Sequence, residues 1–251
     1  MRKFIPTFLL SGFIMMLFVQ HAAAQVALAD SSSNEPAFNN ATKLFHTNLG
    51  PQAPLYNGPE YYYYDPTIKG NAYFEEINAF ATGSVFYDGI AYSNVQMLYD
   101  LYDDKVAILY FNHYSKYSLI KERVKSFDFL EHHFININAD TIVNNKAGLK
   151  SAYYDEIYNG KMEVLVQRYK TIQTNTGGAE GGERYFSPGK DIYLKKNNIY
   201  YSIGGQSDLL NVLKDKKKEL QQYIKSNGIK FKRDPDDAMV KISTYYDHLT
   251  N

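Results

Sequence analysis

The chain has 251 residues, with 27 Lys and Arg balanced by 27 Asp and Glu, no cysteine and no tryptophan, but 24 tyrosines and 15 phenylalanines. The charge balance argues against a general nucleic-acid binder, which would carry a strong basic excess. The lack of cysteine excludes a disulfide framework, thiol chemistry and the cysteine anchor of a lipoprotein, so the fold must rest on its own apolar core.

Arg2 and Lys3 precede an apolar run from Phe4 to Val19, and Ala22-Ala23-Ala24 follows. A positive start, a short apolar stretch and small residues at a cleavage position are the layout of a secretory signal peptide, 1–24, with Gln25 first in the mature chain. A bilayer span needs roughly 20 apolar residues. No later run reaches that length, so no transmembrane segment is expected after cleavage. The expected location is the periplasm or the outer-membrane surface. Residues 25–54, rich in Ser, Asn, Ala and Pro, read as a flexible N-terminal arm. Residues 55–251 read as a single domain.

From Leu55 to Gly204 short runs of Tyr, Val, Ile and Phe alternate with turn signals, which is a β pattern. The first run is "EYYYYDP". Asn57-Gly58-Pro59 and Asp65-Pro66 bound it, and as a strand it would send Tyr61 and Tyr63 one way and Tyr62 and Tyr64 the other. Hairpin turns are expected at Asp88-Gly89, Asp103-Asp104, Asn159-Gly160 and Asn197-Asn198, with type I′ geometry expected where Asp-Gly or Asn-Gly stands. Val95, Met97, Tyr99 and Leu101 share one strand face, with Leu98 the apolar exception on the other. Met162, Val164 and Val166 do the same, with Leu165 the exception. Thr174 to Lys190 has four glycines within six residues and reads as a loop between strands, with 177–182 at its centre.

Two helices follow. The first, 208–226, takes Ser207 or Asp208 as N-cap, carries Leu209, Leu213, Leu220 and Ile224 on one side, and ends at Gly228. The second, 235–249, has Asp234 as N-cap, Pro235 at the first position, and a stripe of Met239, Ile242, Tyr246 and Leu249. The fold class is therefore α+β, mainly β: an antiparallel β-meander, as a curved sheet or partial barrel, with two C-terminal helices covering its apolar face.

No catalytic motif emerges. Six residues intervene between Gly182 and Gly189-Lys190 where a phosphate loop has four, and Asp191 stands where it needs Ser or Thr. His132 and His133 are adjacent, so a strand sends them to opposite sides and they cannot share a metal. Asp155 and Glu156 alternate faces and make a poor carboxylate pair. No nucleophile elbow is present. No catalytic residue, metal or cofactor is expected. Between Lys195 and Arg233 ten basic residues face three acidic ones, and Lys214, Lys216, Lys217 and Lys218 lie together on the first helix. They are a candidate contact for an anionic partner. Tyr61, Tyr62, Tyr63 and Tyr64 are a candidate binding surface, since tyrosine joins an apolar ring to a polar tip.

"LYNGPEY", "GSVFYDGIAYSNVQMLYD", "YYDEIYNGKMEVLVQR", "LKDKKKELQQYIKSNGIKF" and "KISTYYDHL", in that order, resemble a group of exported β-rich proteins of unknown function from Gram-negative bacteria. The resemblance covers about Leu55 to Leu249. It implies one exported domain with a β body and a helical tail, and it carries over no site residues. The expectation is a non-enzymatic cell-envelope protein that binds an envelope protein, a glycan or a lipid. A periplasmic carrier of a hydrophobic ligand and a carboxylate-dependent hydrolase are the alternatives.

Overall fold

The computed structural model describes residues 50, 53–143, 145–176 and 182–250. The expected signal peptide and nearly all of the arm lie outside the described residues, as does 177–181 of the glycine-rich stretch. The strands are β1 (Ala81–Tyr87), β2 (Ile90–Asp100), β3 (Lys105–Leu109), β4 (Lys116–Ser118), β5 (Val124–Phe129), β6 (His132–Ile137), β7 (Ala152–Asn159), β8 (Met162–Asn175), β9 (Glu183–Lys196) and β10 (Ile199–Ser202). Helices α1 (Gln206–Val212), α2 (Lys217–Ser226) and α3 (Pro235–Leu249) complete the chain. The strands form one antiparallel sheet in the order β10-β9-β8-β7-β6-β5-β1-β2-β3-β4. It is a meander with one jump, because residues 119–123 carry the chain from the β4 edge back to β5, beside β1. Among the described residues no helix is long and apolar enough to cross a membrane.

Turn chemistry explains most of the hairpins. Asp88 and Gly89 both have positive φ, as do Asn197 and Asn198, which is the type I′ twist that keeps two-residue hairpins in line with twisted strands. Asn159-Gly160 differs from expectation, since neither residue has positive φ. Gly160 is needed for space: a Cβ there would overlap the Asp247 carboxylate of α3 and the Tyr158 ring. A further hairpin joins β5 to β6 through Leu130 and Glu131, at φ 51° and 66°. Neither is a turn-forming residue, so the sequence did not announce it. The glycine-rich stretch is also more regular than a loop: β8 and β9 pair from Met162↔Lys196 out to Asn175↔Glu183.

One sheet face carries a continuous apolar layer. Tyr99 of β2 touches Phe134 of β6 and Tyr153 of β7, with ring centroids 5.0 and 5.8 Å apart, although β1 and β5 separate those strands in the sheet. The sheet therefore curls toward this face without closing. At one end the curl is filled by aromatic rings, including Phe74, Phe127 and Phe129. At the other end α1–α3 cover Met162, Val164 and Val166 with Leu209, Leu220, Met239 and Ile242.

The opposite face is covered in two places, which accounts for the alternation exceptions. Leu98 and Ala107 lie under Tyr61 and Tyr73, and Leu165 lies under Leu149 and Tyr154. Burying a leucine contributes about 1.5–3 kcal/mol.

Helix α3 spans the expected residues, with the Asp234 side chain accepting from Asp237 N at 3.1 Å. The expected first helix is broken: α1 ends at Val212, a 3₁₀ turn covers Lys214–Lys216, and α2 follows. Asp215 in that turn accepts from Lys196 Nζ at 3.1 Å and Tyr246 OH at 2.8 Å. Pinning one residue to β9 and α3 at once favours the tighter turn over a straight helix. Asp208 does not cap its own helix; its carboxylate accepts from Gly204 N, and Gly205 takes the cap position.

Candidate functional site

Residues 60–78 lie as a strap across the sheet. Glu60 bridges to Tyr117 at the β4 edge, Lys69 bridges to Tyr185 of β9, and Tyr73 bridges to Asp100 at the end of β2. Lys170 N of β8 donates to the Leu101 carbonyl just beyond β2. The tyrosine run is the first limb of this strap, and it is extended backbone outside the named strands.

Its side chains do not follow the two-and-two alternation of a strand. Tyr61 is buried and Tyr64 half-buried, and their hydroxyls donate to the same oxygen, Asp100 Oδ2, at 2.9 and 2.6 Å. Asp100 is fully buried; its other oxygen accepts from Tyr102 N and Asp103 N. Burial pushes this carboxyl above the usual range, against the four donors that favour its charge. Tyr61 and Tyr64 are thus three residues apart and both tie the strap to the end of β2. Tyr62 is 72 % exposed and donates to Glu60. Tyr63 is 52 % exposed and, with Tyr64, Tyr73 and Phe186, lines a concavity of about 380 Å³. The run therefore divides into two anchors and two exposed rings.

The richest chemistry lies on the second limb. There a pocket of about 510 Å³ is walled by strap residues 73–76, Leu101, β8 residues 168–170 and β9 residues 188–190. Phe74 inserts into the aromatic core. Glu75 and Glu76 follow at φ 50° and 56°. Two successive non-glycine residues in the left-handed region cost about 1–2 kcal/mol each. Glu76 Oε1 receives Lys170 Nζ at 2.5 Å, and the same ammonium donates to the Asn71 carbonyl at 2.8 Å. The Lys170 side chain is 3 % exposed and the Glu76 side chain 64 %.

The back wall is a charged network at the seam between the aromatic core and the helix-covered core. Asp155 of β7 is 1 % exposed. Its Oδ2 accepts from Arg168 Nε and Nη2 at 2.9 and 2.6 Å and lies 2.8 Å from His132 Nδ1. Arg168 Nη2 also donates to Asp236 Oδ2 at 2.8 Å, in the first turn of α3, and Lys190 Nζ reaches Asp236 Oδ1 at 2.7 Å. The hydrogen bond that His132 donates to Asp155 raises the His132 pKa, outweighing burial and the Arg168 charge. Burial would raise Asp236, but Lys190 and Arg168 hold it below the usual carboxylate range. Burial alone would lower the Arg168 pKa; Asp155 and Asp236 raise it instead.

The candidate basic contact is elsewhere. Lys214 and Lys218 are exposed, Lys216 and Lys217 half-buried, and Lys217 Nζ donates to Asn211 at 3.2 Å. Among the described residues no ion pair engages these four lysines. His133 bonds to Asp128 and faces away from His132, as adjacent strand residues must. Among the described residues no cluster of three or more His, Asp and Glu could hold a metal.

No family model matches this chain, and no curated protein or solved structure matches it significantly.

The sequence sets Asp155 and His132 aside as poor candidates and does not single out Arg168, Lys170, Glu76 or Asp236. One signal was available. The apolar face Met162-Val164-Val166 continues as Arg168-Lys170, so cations enter a stripe that has just been core. Asp155 pairs with Val166 across β7 and β8, one step from Arg168 on the same face.

Proposed function

We propose that this protein is exported and works in the cell envelope as a non-enzymatic binding protein, holding a small ligand in the charged pocket beneath strap residues 73–76. The observation that carries the reading is the pocket wall. Lys170 and Arg168, both largely buried, stand beside Tyr73, Phe74, Leu101 and Pro188, so a few polar groups are set among apolar ones. That composition is the usual one for a ligand site. Binding rather than catalysis is supported by how the carboxylates are paired: Glu76, on the pocket wall, is held by Lys170. Asp155 and Asp236 are both committed to Arg168, and the raised carboxyl, Asp100, lies under tyrosine hydroxyls. Export is supported by the signal-like start and the resemblance to exported β-rich proteins.

Native mass spectrometry of the protein purified from its own envelope tests this. The expected result is a bound small molecule that is missing from Lys170→Met, with both proteins folded by circular dichroism. Apo masses for both would refute it.

A further inference from the structure

We propose that the pocket takes a small organic carboxylate with an apolar body, and that Glu76 occupies the carboxylate position in the empty protein. This rests on the reading of the pocket as a ligand site and adds the class of ligand.

Three observations converge. First, Lys170 is a cation held out of water, which requires an anion beside it. The anion it has is a mostly exposed glutamate on a short surface turn. An exposed carboxylate makes a weak partner that water competes for. Second, the turn presenting Glu76 is strained at both Glu75 and Glu76, at φ 50° and 56°. Strain of this kind persists where the surroundings enforce it, and here the Glu76–Lys170 contact and the Asn71 Nδ2 bond to the Glu76 carbonyl do so together. A ligand carboxylate on Lys170 would let Glu76 leave and the turn relax. Third, a second donor is available. Arg168 uses Nε and Nη2 on Asp155 and Asp236 and lies over the Phe74 ring, while Nη1 has no hydrogen-bond partner among the described residues, and Arg168 lines the pocket. One oxygen of an incoming carboxylate can take Lys170 Nζ, and the other can face Arg168. Lys190 at the rim adds attraction for an anion. The apolar body follows from Phe74, Leu101 and Pro188 on the walls. A cationic ligand is less well served, since of the two carboxylates on the wall Glu76 is held by Lys170 and Glu75 is exposed, while Asp155 and Asp236 behind it are bound by Arg168 and Lys190.

The test uses three probes of one shape, benzoate, benzylamine and benzyl alcohol, titrated at constant ionic strength into the wild-type protein, Glu76→Ala, Glu76→Gln and Lys170→Met. Affinity is read by calorimetry and folding by circular dichroism. Benzoate alone should bind the wild type. It should bind Glu76→Ala about tenfold more tightly, because the internal competitor is gone, and should bind Lys170→Met at least tenfold more weakly. Glu76→Gln gives the same reading if the alanine variant does not fold, since its neutral amide competes poorly for an ammonium. Benzylamine or benzyl alcohol binding as well as benzoate would overturn the anion assignment and leave the pocket as a ligand site. Benzoate binding that ignores Glu76 would overturn the displacement. Binding of none of the three would overturn both the assignment and the site.

Discussion

Replacing Arg168 by methionine removes the cation that joins β8, β7 and α3, and the structure sets the size of the effect. The Arg168 side chain is 15 % exposed, and it donates two hydrogen bonds to Asp155 and one to Asp236. Methionine keeps most of the aliphatic packing, so the loss is electrostatic. Asp155, 1 % exposed, would keep only His132 beside it. Breaking a buried pair by removing one partner costs about 3–5 kcal/mol, because the other charge stays buried. The expected loss is about 3–5 kcal/mol at a pH above the raised His132 pKa, where a neutral imidazole compensates little. At pH near 5.5 a charged His132 should reduce it. The assay is urea unfolding of the wild type, Arg168→Met, Asp155→Asn and the double variant. If the charges are coupled, the double variant loses less than the sum of the singles by about 2 kcal/mol. Strict additivity, or a loss below about 1 kcal/mol at the higher pH, would show that Arg168 and Asp155 are not a coupled buried pair.

His132 gives a pH dependence of its own. Its pKa is raised in the folded state above the ordinary 6.5, chiefly by the hydrogen bond it donates to Asp155. Its contribution is fully present below that value and lost as pH rises through the folded pKa. His132→Gln should flatten the stability profile from about pH 6.5 upward, and an unchanged profile counts against the Asp155–His132 pair. Tyr64→Phe should lower stability by about 1.5 kcal/mol through the lost bond to Asp100, while Tyr62→Phe should leave the unfolding midpoint in place. Equal effects at the two positions would contradict the division of the tyrosine run. Gly160→Ala should lower the melting temperature, because the new Cβ meets Asp247 and Tyr158; an unchanged value would mean that α3 is not seated there.

Features set within a few residues were legible in the sequence. Asp88-Gly89 and Asn197-Asn198 adopt the left-handed backbone their residue types tolerate, and Asp234-Pro235 begins α3 because capping and a fixed φ act locally. Strand alternation exposed the apolar face of β2 and β8 for the same reason. Leu98 and Leu165 broke the pattern and looked like noise; each lies beneath a segment that covers the other face of the sheet. Leu130-Glu131 was silent because its turn is imposed by the pairing of β5 with β6 against local preference. The tyrosine run was recognisable as a bounded extended segment. Its partner, Asp100, was not, since Tyr64 and Asp100 lie 36 positions apart.

The candidate site belongs to the same class. Lys170 meets Glu76 across 94 positions and Arg168 meets Asp236 across 68. Backbone propensity and hydrophobic period act over one turn or one strand, so by themselves they determined strands, hairpins and the last helix. Only the curl of the sheet could decide which distant charges share a wall. Once water is excluded from that wall, each charge must find its counter-charge there.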